Sequence, residues 1–320
     1  MILLLVSSSD FTVQEILRWL DYYEKKYILL NEINYIDDLD LALNDDVKIT
    51  LKNGTSFFFS EITSVFDRRG RFWFRENLPY GYVDFNNPNK SKREDYLNSS
   101  IKNYIKDELT TLDEYLIKKI KENRFYIGDY KDGNLNKLKA LDIAKKVGLK
   151  IPKTVINTSP DKMDKKTEFI TKAIKEGFNI QHKNVRYNLK THLVDMEDIP
   201  KKYSPTLFQN KLNKKYELRI FYLKEQFYTM AIFSQNNPNT TIDFRNYNKP
   251  IRTSPYTLPK KIEQKIIKLM KGLSLSTGSI DIVYTKSNEY VFLEVNPTGQ
   301  FGMVSSPCNY NIEKQIAKIL

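Results

Sequence analysis

The period of apolar positions changes several times along this chain, and each change marks a predicted element. Ile2–Val6 is a continuous apolar run short enough for a buried strand, and Val13, Ile16, Leu17 and Leu20 then recur at helical spacing behind Ser9-Asp10, a helix-capping pair. Tyr27–Leu30, Val47–Leu51 and Ser56–Ser60 carry the β-branched and aromatic residues of further strands. Alternating strand and helix signals predict a small α/β domain at the N-terminus. The segment Ser64–Arg75 concentrates four arginines among aromatics, and reads either as an edge strand with a solvated basic face or as a surface for a carboxylate-bearing partner. A polar loop at Asn86–Arg93 precedes a long helical pattern from Tyr96 to Ile120. Asn123–Leu135 then has the composition of a connector, with Gly128, Asp132 and Gly133 close together, and the main domain boundary is expected there.

Beyond that boundary Asn136–Val147 is an amphipathic helix with Asn136 as cap, Leu138, Leu141, Ala144 and Val147 on one side, and Gly148 as its stop. A second helix over Lys260–Lys271, behind Pro259, turns Ile262, Ile266, Leu269 and Met270 inward. Between the two, Thr154–Ile156, Thr206–Gln209, Leu218–Leu223 and Phe227–Phe233 read as strands, the last three in an antiparallel sheet. The segment Gly278–Gly302, GSIDIVYTKSNEYVFLEVNPTGQFG, is a hairpin signal: Ile280–Thr285 and Tyr290–Asn296 flank the polar turn Lys286–Glu289. If the turn closes with Thr285 opposite Tyr290, Asp281 faces Glu294 and Asn296 joins them, with cross-strand Cβ atoms about 4.5–5.5 Å apart. Ile280, Ile282, Leu293 and Val295 are expected on one face, Val283 and Phe292 on the other.

Two opposed carboxylates in apolar surroundings repel unless something cationic offsets them. A divalent ion does so, and two carboxylates with one carboxamide form an all-oxygen set suited to magnesium. The plain alternative is that Asp281 or Glu294 pairs with a lysine and Asn296-Pro297 merely ends a strand.

Composition narrows the function classes. With 320 residues there is material for two or three packed units, and 41% hydrophobic and 13% aromatic residues exclude a disordered chain. One cysteine, Cys308, excludes an intrachain disulfide framework or a cysteine-built zinc cluster, and two histidines leave little for a Ser-His-Asp arrangement. The net charge of +12 raises nucleic acid as a partner. The lysines are spread along the chain beside acidic residues, without an aromatic-basic repeat, so a nucleotide or acidic peptide is the expected partner instead, with no nucleic acid. The opening MILLLVSSSD lacks a basic region and no apolar run reaches a membrane-span length, so no membrane association and a cytoplasmic location are expected.

The order of elements from Asn136 onward resembles the ATP-grasp superfamily. The resemblance implies an α/β (α+β) fold: an N-terminal α/β pre-ATP-grasp domain with a helical linker at 1–130, a central subdomain at 131–205, and a C-terminal subdomain with the metal hairpin at 206–320. Asn136-Lys137-Leu138 and GLKIPKT at Gly148–Thr154 look like the first central segment, implying Lys137 as a phosphate ligand. Phe169-Ile170-Thr171-Lys172 resembles the strand bearing the second nucleotide lysine, with Lys175 or Lys183 as alternatives to Lys172. Phe208-Gln209-Asn210-Lys211 looks like the adenine hinge, giving Gln209, Asn210 and Lys211 to the nucleotide. Glu217-Leu218-Arg219 resembles a ribose-binding acid followed by a phosphate arginine. Asp243-Phe244-Arg245-Asn246 resembles the motif before the acceptor site in ligases that glutamylate ribosomal protein. Asp281, Glu294 and Asn296 match the family's metal triad. One departure stands out: relatives place a glycine-rich loop after the second lysine, whereas KAIKEGFNIQHKNVRYN offers Gly177 alone, leaving Lys183, Arg186 or a peptide-ordered loop to cover the phosphates.

The run EVNPTGQF, the tail from Tyr310, the opening twenty residues and the pair Arg68-Arg69 together look like the peptide maturases of microviridin-type (graspetide) pathways, closest to the grasp-with-spasm system. That resemblance implies an enzyme using ATP and two Mg2+ ions to activate side-chain carboxylates of a precursor peptide as acyl phosphates, then closing ester or amide macrocycles with Thr, Ser or Lys side chains. Arg219 would stabilise the transferring phosphoryl group and Arg245 would hold the peptide carboxylate or acyl phosphate. A homodimer is implied as well. The alternative is an ATP-grasp carboxylate–amine ligase that adds an amino acid to a small molecule or a protein tail.

Overall fold

Leu3, Leu4 and Leu5 are fully buried because Ile2–Val6 (β1) has a neighbouring strand on each side and no solvent face. The structure is a computed structural model and describes residues 1–74, 92–128, 135–164, 166–175, 179–182, 185–188, 191–236 and 251–320; the side chains of 92–99, 102, 162, 179–182, 185–188 and 236 fall outside that description. The chain forms two compact units, Met1–Tyr130 with Glu313–Leu320, and Lys131–Ile312.

In the first unit β1 leads through α1 (Thr12–Tyr22) to β2 (Tyr27–Leu30), then through β3 (Ile36–Asp40), β4 (Lys48–Leu51) and β5 (Ser56–Phe58) to β6 (Ser64–Arg68), α2 (Lys92–Lys121) and β7 (Phe125–Ile127). The main sheet has the order β2-β1-β6-β7 with parallel pairing throughout, and β3-β4-β5 form a separate antiparallel sheet. The expected α/β character holds. Three local readings need correction. The Ser64–Arg68 strand is internal rather than an edge, and every residue in it is buried. Its Arg68 is not solvated: the guanidinium Nε lies 2.9 Å from Asp10 and donates to Thr12 Oγ1 at 3.2 Å, which compensates the charge inside the fold. The connector expected over Asn123–Leu135 contains the short strand β7, and the acidic stretch at β3 is a strand that the apolar pattern did not mark.

Asp113 on α2 accepts the Phe72 amide at 2.6 Å, and burial pushes its carboxyl up to about 6. A carboxyl raised this way stabilises the fold while protonated, at pH below the unfolded value of about 4, and loses that contribution as pH rises through 6. Asp113→Asn keeps an acceptor for Phe72 and removes the charge. Thermal melts should show a gain of about 1 kcal/mol at pH 7–8, discounted for partial exposure, and none at pH 4. Equal melting of both proteins across that range would contradict the assignment.

The second unit comprises α3 (Lys137–Lys146), β8 (Thr154–Asn157), β9 (Phe169–Thr171), β10 (Asn179–His182), β11 (Val185–Asn188), β12 (His192–Leu193), β13 (Thr206–Asn210), β14 (Lys214–Leu223), β15 (Gln226–Ile232), β16 (Thr253–Pro255), α4 (Lys260–Gly272), β17 (Thr277–Thr285), β18 (Tyr290–Asn296) and α5 (Gly302–Ser305). The last helix, α6 (Ile312–Ile319), starts at its end. One sheet has the order β12-β9-β13-β8 and another β16-β15-β14-β17-β18, all antiparallel, while β10 and β11 pair as a hairpin. Asn136 caps α3 by accepting the Leu138 and Lys139 amides at 3.0 and 3.2 Å, and Gly148 follows it with φ +82°, a conformation that favours glycine.

The five-stranded sheet positions the site. Leu218, Ile220, Ile280, Ile282, Phe292 and Val295 pack under Ala140, Leu141 and Ala144 of α3 and Ile266, Leu269 and Met270 of α4. Because side chains alternate along a strand, the intervening residues Glu217, Arg219, Ser279 and Asp281 lie on the opposite face. Among the described residues no helix is long and apolar enough to cross a membrane.

Candidate active site

Asp281 lies opposite Glu294, and Ser279 opposite Asn296, across the β17–β18 pair. The route to that register differs from the expected one. Tyr284, not Thr285, faces Tyr290, with the Thr285 amide donating to Glu289 O at 3.0 Å. A bulge then inserts Leu293 between the Ile282–Phe292 and Asp281–Glu294 pairs and restores the carboxylates to one face. It also corrects the apolar assignment: Phe292 joins Ile282 on the helix-covered side, and Leu293 is the extra residue.

A second bulge acts on β14. Its pairing with β17 shifts between Lys214–Thr285 and Tyr216–Tyr284, so Lys215 is extra and Lys214 shares the face of Glu217. Without it, residues three apart on a strand would point to opposite faces. The Lys214 ammonium lies 2.9 Å from Glu217 Oε1 with both side chains buried. Lys214 was not singled out from sequence, because regular alternation places it on the wrong side.

Three predicted residues converge on the two hairpin carboxylates. Arg219 stands opposite Asp281 on β14 and donates to both of its oxygens, at 2.7 and 2.6 Å. Lys137, at the first turn of α3, lies 3.3 Å from Glu294 Oε2, and Lys172, one residue past β9, lies 3.6 Å from the same oxygen. Lys172 is thereby distinguished from Lys175, which is exposed, and from Lys183, which lies outside the described residues. Burial pushes the Lys172 ammonium below its usual range, Glu294 pulls it back up, and Lys137 adds to the depression. Glu217 is pushed up by burial and drawn down by Lys214 and by a hydrogen bond from Ser234 Oγ at 2.9 Å. Asn296 accepts the Thr298 amide at 3.1 Å through Oδ1.

The predicted hinge residues are structurally engaged. Gln209 is buried and donates Nε2 to Thr154 Oγ1 at 3.0 Å; Asn210 Oδ1 accepts the Lys153 amide at 2.7 Å. The Asn210 and Lys211 amides donate to Lys153 O and Glu168 O, and Lys211 Nζ pairs with Glu168. Arg245, Gly177 and Lys183 lie outside the described residues, as does the side chain of Arg186.

The donor set fits a magnesium ion. Asp281, Glu294 and Asn296 could supply oxygen ligands from registered strand positions, and the two carboxylates already draw three cationic groups to them. Were a metal to neutralise the carboxylates, Lys137, Lys172 and Arg219 could engage phosphate oxygens instead.

The fold has counterparts among solved structures. The structure is similar to macrocyclase MdnC bound with precursor peptide MdnA from Microcystis aeruginosa MRC, at 26% identity and a TM-score of 0.77, over 100% of this chain and 99% of that one. It is also similar to a RiPP-associated ATP-grasp ligase from Chryseobacterium gregarium in complex with ADP and a leader and core peptide, at 22% identity and a TM-score of 0.75, over 100% and 96%. The ATP-grasp ligase PsnB complexed with minimal precursor, Mg and ADP matches at 15% identity and a TM-score of 0.72, over 99% and 95%. A comparison with curated proteins finds no match. The model of the RimK-like ATP-grasp domain matches residues 134–320, a span that takes in the capped Lys137 helix and the whole carboxylate hairpin, and the chain belongs to that family.

Proposed function

We propose that this protein is an ATP-dependent, ADP-forming ligase that activates side-chain carboxylates of a precursor peptide as acyl phosphates and closes ester or amide macrocycles with Thr, Ser or Lys side chains. The observation that carries the reading is the registered Asp281–Glu294 pair with Lys137, Lys172 and Arg219 drawn onto it, in a chain that matches MdnC over its full length. Peptide partners and bound ADP in the neighbours support the substrate class.

The residues divide the work by charge. Lys137 and Lys172 hold phosphate oxygens from the α3 and β9 sides, and Arg219 offsets charge on the transferring phosphoryl group. Asp281, Glu294 and Asn296 would hold magnesium, which would supply Lewis-acid neutralisation of the phosphate oxygens. Gln209, Asn210 and Lys211 form the adenine hinge, and Glu217 accepts ribose hydroxyls. Arg245 holds the peptide carboxylate or the acyl phosphate. No protein nucleophile is required, since ATP makes the carboxylate electrophilic and the peptide supplies the attacking group.

Two magnesium ions are proposed. Glu217, Asp281 and Glu294 stand against Lys137, Lys172, Lys214 and Arg219, one net positive charge. With about four negative charges from ATP, one magnesium ion leaves one net negative charge and two leave one net positive charge, so the charge of the site suits either number. Magnesium alone should therefore bind poorly, because side-chain cations already occupy its ligands. Melting curves should show no shift with magnesium alone and about 2.7 kcal/mol of stabilisation with Mg-ATP at 100 times its dissociation constant. A full shift with magnesium alone would contradict this exchange. A homodimer and the subdomain division at residue 205 are also proposed, the former tested by solution molar mass.

The reading is tested by incubating protein, Mg-ATP and its peptide: macrocyclisation yields ADP and a lighter peptide. Addition of an amino acid, the competing ligase reaction, makes the product heavier instead.

A further inference from the structure

Lys214 and Ser234 both address one oxygen of Glu217. Lys214 Nζ lies 2.9 Å from Oε1, and Ser234 Oγ donates to the same atom at 2.9 Å. Gln235 Nε2 in turn donates to Ser234 Oγ at 3.0 Å, so the serine hydrogen is directed at the carboxylate. The three residues are strongly buried: Lys214 is 8% exposed, Glu217 9% and Ser234 1%. A carboxylate this buried has its position set by its donors, and both converge on Oε1. Oε2 receives no hydrogen bond among those described, although it is not among the buried atoms that lack a partner. That leaves Oε2 as the oxygen accessible from the site face, two residues along β14 from Arg219.

The bulge at Lys215 makes this arrangement possible. Extra residues in sheets re-aim side chains at functional positions, and here the ladder loses regularity to bring an ammonium beside a buried acid. A buried ion pair is a weak source of stability, because desolvation offsets most of the attraction. An arrangement that costs a regular ladder and two desolvated charges is accounted for by what it holds in place.

We propose that Lys214 is a positioning residue of the nucleotide site: with Ser234 it pins Glu217 through Oε1 so that Oε2 accepts the ribose hydroxyls of ATP. This rests on the ATP-ligase reading. Lys214 acts through Glu217 and touches no reacting atom. Its removal leaves Glu217 held through Oε1 by Ser234 alone and favours the protonated acid, and either change weakens acceptance from a diol.

The test compares dissociation constants of ATP and 2′,3′-dideoxy-ATP, each with magnesium, by calorimetry on the full chain. The native protein should prefer ATP at least about tenfold, the discrimination given by two lost hydrogen bonds to a charged acceptor. Lys214→Met should reduce that preference to within about twofold while leaving dideoxy-ATP affinity within about twofold of native. Ser234→Ala, a smaller change that keeps the ion pair, should give an intermediate preference and serves if Lys214→Met does not fold. Equal loss of both nucleotides in Lys214→Met, or native discrimination in either variant, overturns the proposal. A native protein that binds both nucleotides equally overturns the positioning role but leaves the ligase reading standing. Absence of binding to either nucleotide sinks both.

Discussion

Glu294→Gln should lose about 10²–10³-fold or more in peptide-dependent ADP formation while remaining folded. The substitution keeps shape and one acceptor oxygen, so the backbone register at Asp281 has no reason to change. What it removes is the charge that attracts a divalent ion and that Lys137 and Lys172 now share. Lys172 is then left deep in the unit without its carboxylate. The ligand-free variant should melt lower by about 1–2 kcal/mol, less than for a fully buried pair because Glu294 is about one quarter exposed. Asp281→Asn should behave similarly, with Arg219 losing its bidentate partner. Turnover of either variant within tenfold of native, measured by ADP release at saturating magnesium, would reject the metal assignment.

Lys172→Met should weaken Mg-ATP binding about 30- to 100-fold, the roughly 2–3 kcal/mol of charge-assisted hydrogen bonding to phosphate. Its effect on the empty protein runs the other way. Lys172 is charged against a strong desolvation penalty, visible as its depressed affinity for a proton, and methionine fills the space without that cost. Glu294 keeps Lys137 as a partner at 3.3 Å. Calorimetry and melting together should show poorer nucleotide binding in a variant that melts no lower than native, while Lys175→Met, at an exposed position, changes neither. Native affinity in Lys172→Met would place the phosphate lysine elsewhere.

Much of the site was legible because side-chain chemistry dictates it. Two carboxylates and a carboxamide spaced for one strand face demand a cationic partner, and Asn136 before Lys137 announces a capped helix whose first turn can reach an anion. The pairing of Asp281 with Glu294 came out right although the expected turn closure was one residue off, since the Leu293 bulge cancels that offset. Bulges are set by ladder hydrogen bonds and neighbouring strands, which no local pattern encodes. For the same reason Lys214 was invisible: period-two alternation points it away from Glu217, and only the extra residue at Lys215 reverses that. In the first unit the arginines of the Ser64–Arg75 segment pointed to an edge strand, but Arg68 is internal because Asp10, fifty-eight positions earlier, supplies its counter-charge. Composition cannot reveal so distant a partner. The three-residue strand β7 is too short to stand out from its Gly-rich surroundings.

The central claim is that ATP bound at this site turns a peptide's own carboxylate into an acyl donor for another of its side chains. Intact-mass measurement of the precursor peptide, incubated with the protein, magnesium and ATP, tests it most directly. The account predicts a product lighter by one water for each ring, ADP formed in equal amount, and neither in the Glu294→Gln variant. A product heavier by an amino-acid residue, or water loss that proceeds without ATP, would contradict it.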